Sequence, residues 1–95
     1  MNTFEIIDKT GRTIRLTKRQ WSHIMKKHPY MNKHLEGIKE TLQYPQKLLT
    51  KSFSKSYYFR YYKSLQSPNQ YILVIVKYLN GTGFVITAYL TEKIK

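Results

Sequence analysis

The sequence predicts an α+β fold: an N-terminal short hairpin and two helices packed on a four-stranded antiparallel sheet. Three observations predict it. Apolar residues recur at helical spacing between Trp21 and Leu42. From Pro45 onward the chain turns to runs of aromatic and β-branched residues. Asn80-Gly81 then separates two such runs, the strongest short-range hairpin signal in the chain. Helices first and an antiparallel meander afterwards is the α+β pattern. The 95 residues make one domain, 1–95, because a chain of this length cannot supply two cores.

Each element has its local reason. Phe4-Glu5-Ile6-Ile7 and Thr13-Ile14-Arg15-Leu16 flank Asp8-Lys9-Thr10-Gly11, a hairpin with glycine in the turn. Thr17 is a good N-cap, and Gln20 three positions on completes a capping box. Trp21, Ile24, Met25 and His28 share one helical face. Pro29 ends that helix, because the residue before a proline is pushed out of the helical region. Asn32 is the expected cap of a second helix, with Leu35, Ile38 and Leu42 as its apolar stripe and Tyr44-Pro45 as its exit. Gly37 weakens it by about 1 kcal/mol relative to alanine.

Lys47–Thr50 and the aromatic run Ser56–Lys63 are the next two strands, and Ser67-Pro68-Asn69 is a turn. Tyr71–Tyr78 is almost unbroken apolar sequence, so it reads as a central strand covered on both faces. In the returning strand, alternation puts Phe84, Ile86, Ala88 and Leu90 on a core face and Val85, Thr87, Tyr89 and Thr91 on the other.

Composition narrows the function. Seventeen Lys and Arg against five Asp and Glu give a net charge of +12, which attracts polyanions, with nucleic acid first among them. There is no cysteine, which removes disulfides, thiolate metal sites and a thiol nucleophile together. Five scattered acids do not readily assemble a two-metal centre. His23 and His28 are five apart, about 140° round a helix, the wrong spacing for one-face metal ligation. No metal or cofactor is expected. No run of about 20 apolar residues exists to span a membrane, and the N-terminus has no signal-like pattern, so a cytoplasmic location is expected.

RNA cleavage without metal asks little of a protein. The substrate's 2′-hydroxyl is the nucleophile; the site adds a base, an acid and fixed positive charge. His28 lies on the apolar helix face, which also suits a packed imidazole near a helix C-terminus. His23 lies on the basic face with Arg19, Lys26 and Lys27, where an ordinary exposed histidine fits as well. Arg60 and Lys77 are candidates through charge and strand position. A face showing Thr, Tyr, Arg and Lys suits a nucleic-acid backbone and stacked bases, and suits any half-exposed strand equally.

Trp21-Ser22-His23-Ile24 followed by His28-Pro29 resembles the His-Ile-x-x-x-His-Pro helix motif of phage-associated barnase–EndoU–colicin–RelE-like (BECR) nucleases. Ile38-x-x-Thr41-Leu42-x-x-Pro45 is similar to that family's second helix and exit, and Tyr71–Lys77 with Ile86-Thr87-Ala88-Tyr89 to its last two strands. The resemblance implies a RelE-like fold and a metal-independent endoribonuclease, often a toxin, that leaves a 2′,3′-cyclic phosphate. It places His23 and His28 as base and acid or phosphate contact, and Thr87 as the final-strand hydroxyl, followed in the same motif by Tyr89. Arg60 is grouped with this catalytic set, and Lys77, Tyr89 and Lys27 with the substrate-binding set. After His-Pro the family often has an acidic residue and this chain has Tyr30, which leaves the roles of the two histidines unassigned. The expected partners are RNA and an acidic antitoxin or immunity protein. The alternative is a non-catalytic RNA- or DNA-binding module with Tyr57–Lys63 as its stacking platform.

Overall fold

Two strands, β1 (Asn2–Ile7) and β2 (Thr13–Thr17), pair antiparallel around the Asp8–Gly11 turn in a computed structural model that describes residues 1–93. Gly11 takes the positive φ of 86° that this turn requires. The Asp8 carboxylate is the turn's anchor. One oxygen accepts from the Thr10 amide, the Thr10 hydroxyl and the Arg12 amide, and the other from the Tyr58 hydroxyl. That phenol also bonds Tyr78, over whose ring the Arg12 guanidinium stands at 4.0 Å. Burial first, then these bonds, push the Tyr58 hydroxyl far above its ordinary range.

Thr17 caps α1 (Lys18–Lys27), its hydroxyl accepting from the Gln20 amide at 3.1 Å. The reciprocal half of the capping box is not made, because the Gln20 side chain reaches across to the Ile86 carbonyl. His28 closes the helix, donating its amide to the Ile24 carbonyl at 2.7 Å before Pro29. Asn32 does not cap the second helix. Pro29–His34 form a 3-10 segment instead, and α2 (Leu35–Gln43) follows directly with His34 at its N-cap, without a side-chain bond. The proline fixes the first turn and Met31 is drawn fully into the core, so the chain stays wound through Asn32.

The remaining strands are β3 (Lys47–Ser52), β4 (Lys55–Tyr61), β5 (Tyr71–Leu79) and β6 (Thr82–Thr91). Asn80 and Gly81 both have positive φ, as a tight two-residue hairpin between β5 and β6 requires. The four strands β3–β6 form an antiparallel meander, but the sheet extends beyond the four antiparallel strands expected. One six-stranded sheet runs β1-β2-β6-β5-β4-β3, and it is mixed, because β2 lies parallel to β6 at Ile14–Gly83 and Arg15–Phe84. The N-terminal hairpin therefore belongs to the sheet rather than standing apart from it. Gly83 permits that join: a Cβ there would overlap the Ile14 Cδ1 methyl and crowd Tyr78 and Val76 at 3.0 Å.

Both helices pack on one face, over Ile14, Leu16, Tyr58, Ile72, Val74, Val76, Val85 and Ala88. At Gly37 helix α2 comes so close to β5 that a Cβ would stand 2.6 Å from Ile72 Cδ1, so this glycine serves packing. Among the described residues no helix covers the opposite face. Phe59, Leu73 and Ile75 are buried there under Leu49, Tyr57, Tyr71, Ile86 and Tyr89, so the central strand is covered on that side by neighbouring side chains alone. The alternation expected in β6 is also broken. A β-bulge sets both Ile86 and Thr87 against Ile75, which turns Val85 to the helix side with Ala88 and Leu90 and moves Ile86 off it. No helix of the described residues is long and apolar enough to cross a membrane.

Candidate functional site

Strand β2 pairs with β6 only as far as Phe84, so the outer edge of β6 beyond that point lies open to α1 and the 3-10 segment. Gln20 holds Ile86 there, and His28 follows two turns later. The His28 ring stacks on Tyr89 with centroids 5.2 Å apart and planes 28° from parallel. Its Nδ1 lies 3.1 Å from the Tyr30 hydroxyl, whose ring meets the imidazole edge-on at 5.7 Å. Tyr30 folds back to this position because Pro29 opens a 3-10 turn. Burial raises the Tyr30 hydroxyl above its ordinary range, the Leu90 backbone lowers it in part, and nearby Tyr89 raises it further. Tyr30 thus stays a neutral phenol whose hydroxyl shares one hydrogen with His28.

Around this histidine the charge is positive. Lys26 and Lys27 occupy the last turn of α1, where cations also complement the helix dipole. Lys27 is exposed and immediately precedes His28. His23 is exposed on the other side of the helix and makes no hydrogen bond or ring contact among the described residues. Thr87 is half-buried on β6, on the face it shares with Tyr89 and about 7 Å along the strand from it. The structure therefore gathers His28, Tyr30 and Tyr89 directly, with Lys27 and Thr87 flanking them.

Arg60 and Lys77 lie elsewhere. Arg60 sits on the helix side of β4, donating to the Tyr44 carbonyl at 2.6 Å, with its Nε 3.6 Å from Glu40. It ties β4 to the C-terminus of α2, and a side chain so engaged does not point at His28. Lys77 is exposed on the other face, directly opposite Lys55 and Phe84. It stands four residues along β5 from Leu73, the partner of Tyr89, or about 13 Å. Lys77 belongs to a surface leading away from the histidine. Sequence reasoning did not assign Tyr30 or Gln20 to the site. Tyr30 appears there only as a departure from the family motif, and nothing in local spacing shows that it turns back onto His28.

Among the described residues no three His, Asp or Glu side chains converge to hold a metal ion. The arrangement offers one oriented imidazole, two phenols and a basic helix end, which is equipment for moving a proton beside a phosphate. Comparison of the chain with protein-family models, with curated proteins and with solved structures finds no match.

Proposed function

We propose that the protein is a metal-independent endoribonuclease, toxin-like and of the BECR kind, that cleaves RNA by internal transesterification. The observation that carries this reading is the hydrogen bond between His28 Nδ1 and Tyr30, on a ring stacked against Tyr89. With Nδ1–H donated to the phenol oxygen, Nε2 is left to accept the proton of the 2′-hydroxyl. The oxygen attacks phosphorus, the bond to the 5′-oxygen breaks, the departing 5′-oxygen takes a proton from water at this exposed edge, and a 2′,3′-cyclic phosphate remains. Tyr89 and Thr87 supply hydroxyls along the strand, and Lys27 supplies fixed charge for the phosphorane. His23, with Arg19 and Lys26, contacts the backbone rather than the reacting atoms. Tyr30 takes the orienting part that an acidic residue plays in the family motif.

RNA incubated with the purified protein in EDTA tests this. Cleavage to cyclic-phosphate ends is expected, and His28→Ala is expected to remove it by 100-fold or more. Cleavage that requires added metal, or survives His28→Ala, overturns the reading.

One observation favours a non-catalytic module instead. The uncovered sheet face shows Tyr57, Tyr71 and Tyr89, with Lys51 standing 5.4 Å over the Tyr57 ring. Such a face stacks bases without cutting them. Under that reading, RNA binds and no cyclic phosphate forms with the unaltered protein. A neutralising acidic antitoxin would be recognised through the same charge. A growth defect on expression, relieved by His28→Ala, supports the toxin reading, and full tolerance of the unaltered chain counts against it.

A further inference from the structure

Two cavities on the helix side meet end to end. One, of about 450 Å³, opens at Tyr30 and Leu90 and runs between the 3-10 segment and Ser64–Gln66. The other, of about 440 Å³, continues along α2 to Gln43 and Tyr44. Both are lined by Lys33, His34, Ser64 and Leu65, so they form one groove. Each half has the volume of an ordinary small-ligand site. The groove starts at the phenol that holds His28, which makes it continuous with the candidate site.

The chemistry of the lining changes along its length. Lys33 stands at the junction of the two halves. Beyond it the outer half holds Glu36 and Glu40, two of the five acids in a chain of net charge +12, together with Lys39. Glu36 spends one oxygen on Lys39 at 3.1 Å, and Glu40 one oxygen on the Tyr62 hydroxyl at 2.6 Å. In each carboxylate the other oxygen accepts no hydrogen bond among the described residues. Tyr44, 65% exposed, closes the far end as a flat aromatic wall. Burial and neighbouring Lys33 both lower the pKa of His34, which keeps its ring neutral and able to accept.

The remaining oxygens of Glu36 and Glu40 give this groove acceptors for N–H donors. We infer that it is a base-recognition subsite for single-stranded RNA, taking a base that carries an exocyclic amino group further along the strand from the phosphate held at His28. The inference rests on the ribonuclease reading for the position of that phosphate. Unstacked bases are read in this way, on an aromatic wall and through their edges. Carboxylates accept the cytosine amino group, and adenine and guanine offer the same type of donor. Uracil has no amino group.

The test uses fluorescein-labelled tetranucleotides with 2′-deoxyribose throughout, which cannot be cleaved, as dC, dA and dU homopolymers. Anisotropy with the full chain is expected to show dC or dA binding about tenfold tighter than dU. Glu36→Ala, an exposed change, is expected to bring the ratio within about twofold. Amide signals of residues 33–44 are expected to shift on adding dC tetranucleotide to the unaltered protein. Equal binding of all three, or a preference that Glu36→Ala and Tyr44→Ala both leave intact, overturns the subsite. Base preference without RNA cleavage in EDTA sinks the ribonuclease reading and leaves the subsite standing. Cleavage without base preference does the reverse.

Discussion

At His28 an uncharged phenol stands where a carboxylate would hold the imidazole more strongly. A neutral hydrogen bond fixes the ring and its tautomer with less electrostatic help, so its removal costs less than loss of the base itself. Tyr30→Phe is therefore expected to lower kcat about tenfold with KM unchanged, in cleavage assays on a fixed RNA. Asp8 is a second residue that acts beyond its own segment, since it is 5% exposed and fills its lone pairs from the turn and from Tyr58. Asp8→Ala strands those donors and is expected to cost about 2–4 kcal/mol in urea unfolding. The turn at Asp8–Gly11 is legible in the sequence. Its bond to Tyr58, 50 residues away, is not, because no local pattern encodes which phenol arrives. Tyr62 gives the clearest pH dependence. Burial and then the bond to Glu40 push its hydroxyl up to about 12, against an ordinary value of 10.0. Its contribution is fully present below pH 10 and is lost as pH rises to about 12, because the unfolded phenol ionises first. Thermal melts from pH 9 to 11.5 are expected to fall more steeply for the unaltered chain than for Tyr62→Phe.

Among the elements, both helices and every strand leave a local trace, and these fix their places to within a few residues. What escapes is pairing. Gly83 reads as a hairpin residue, yet it also lets Ile14 pack against β6 and so joins the N-terminal hairpin to the sheet. Gly83→Ala is expected to destabilise by about 1–3 kcal/mol in urea, through overpacking of Ile14, Tyr78 and Val76. Gly81→Ala costs less if sterics decide, since nothing lies within 4 Å and only its positive φ is strained. The bulge at Ile86–Thr87 is illegible for a related reason. It serves the fit between β5 and β6 rather than any preference of Ile86, and one extra residue reverses the inward set before it. Of the candidate site, Lys27, His28, Thr87 and Tyr89 are readable, since they lie on or next to elements whose type is clear. For Arg60, charge and strand position do not reveal the Tyr44 carbonyl that engages it.

Over the whole molecule, four of the five acids already have at least one partner. Asp8 is consumed by hydrogen bonds, Glu5 meets Arg15 at 2.7 Å, Glu36 meets Lys39, and Glu40 faces Arg60. The surplus cations are left without acidic partners, and on the uncovered face the sheet sets two of them against each other, Lys55 directly opposite Lys77. Like charges in register cost a sheet roughly 0.2–1 kcal/mol, so this pair is unfavourable for the free protein. A polyanion lying across the face turns that cost into an attraction. Lys77→Thr should accordingly raise the stability of the free chain by a few tenths of a kcal/mol. The same change should weaken binding to single-stranded RNA and reduce the slope of log affinity against log salt by about 0.7. If about four phosphates are contacted, the unaltered protein loses on the order of 50-fold in affinity between 50 and 200 mM salt. Chemical unfolding and salt-dependent anisotropy read the two effects separately. A gain in stability with no loss of RNA affinity would show that RNA does not cross this face. Loss of both would mean that Lys77 supports the fold, and that the repulsion from Lys55 is relieved within the protein itself.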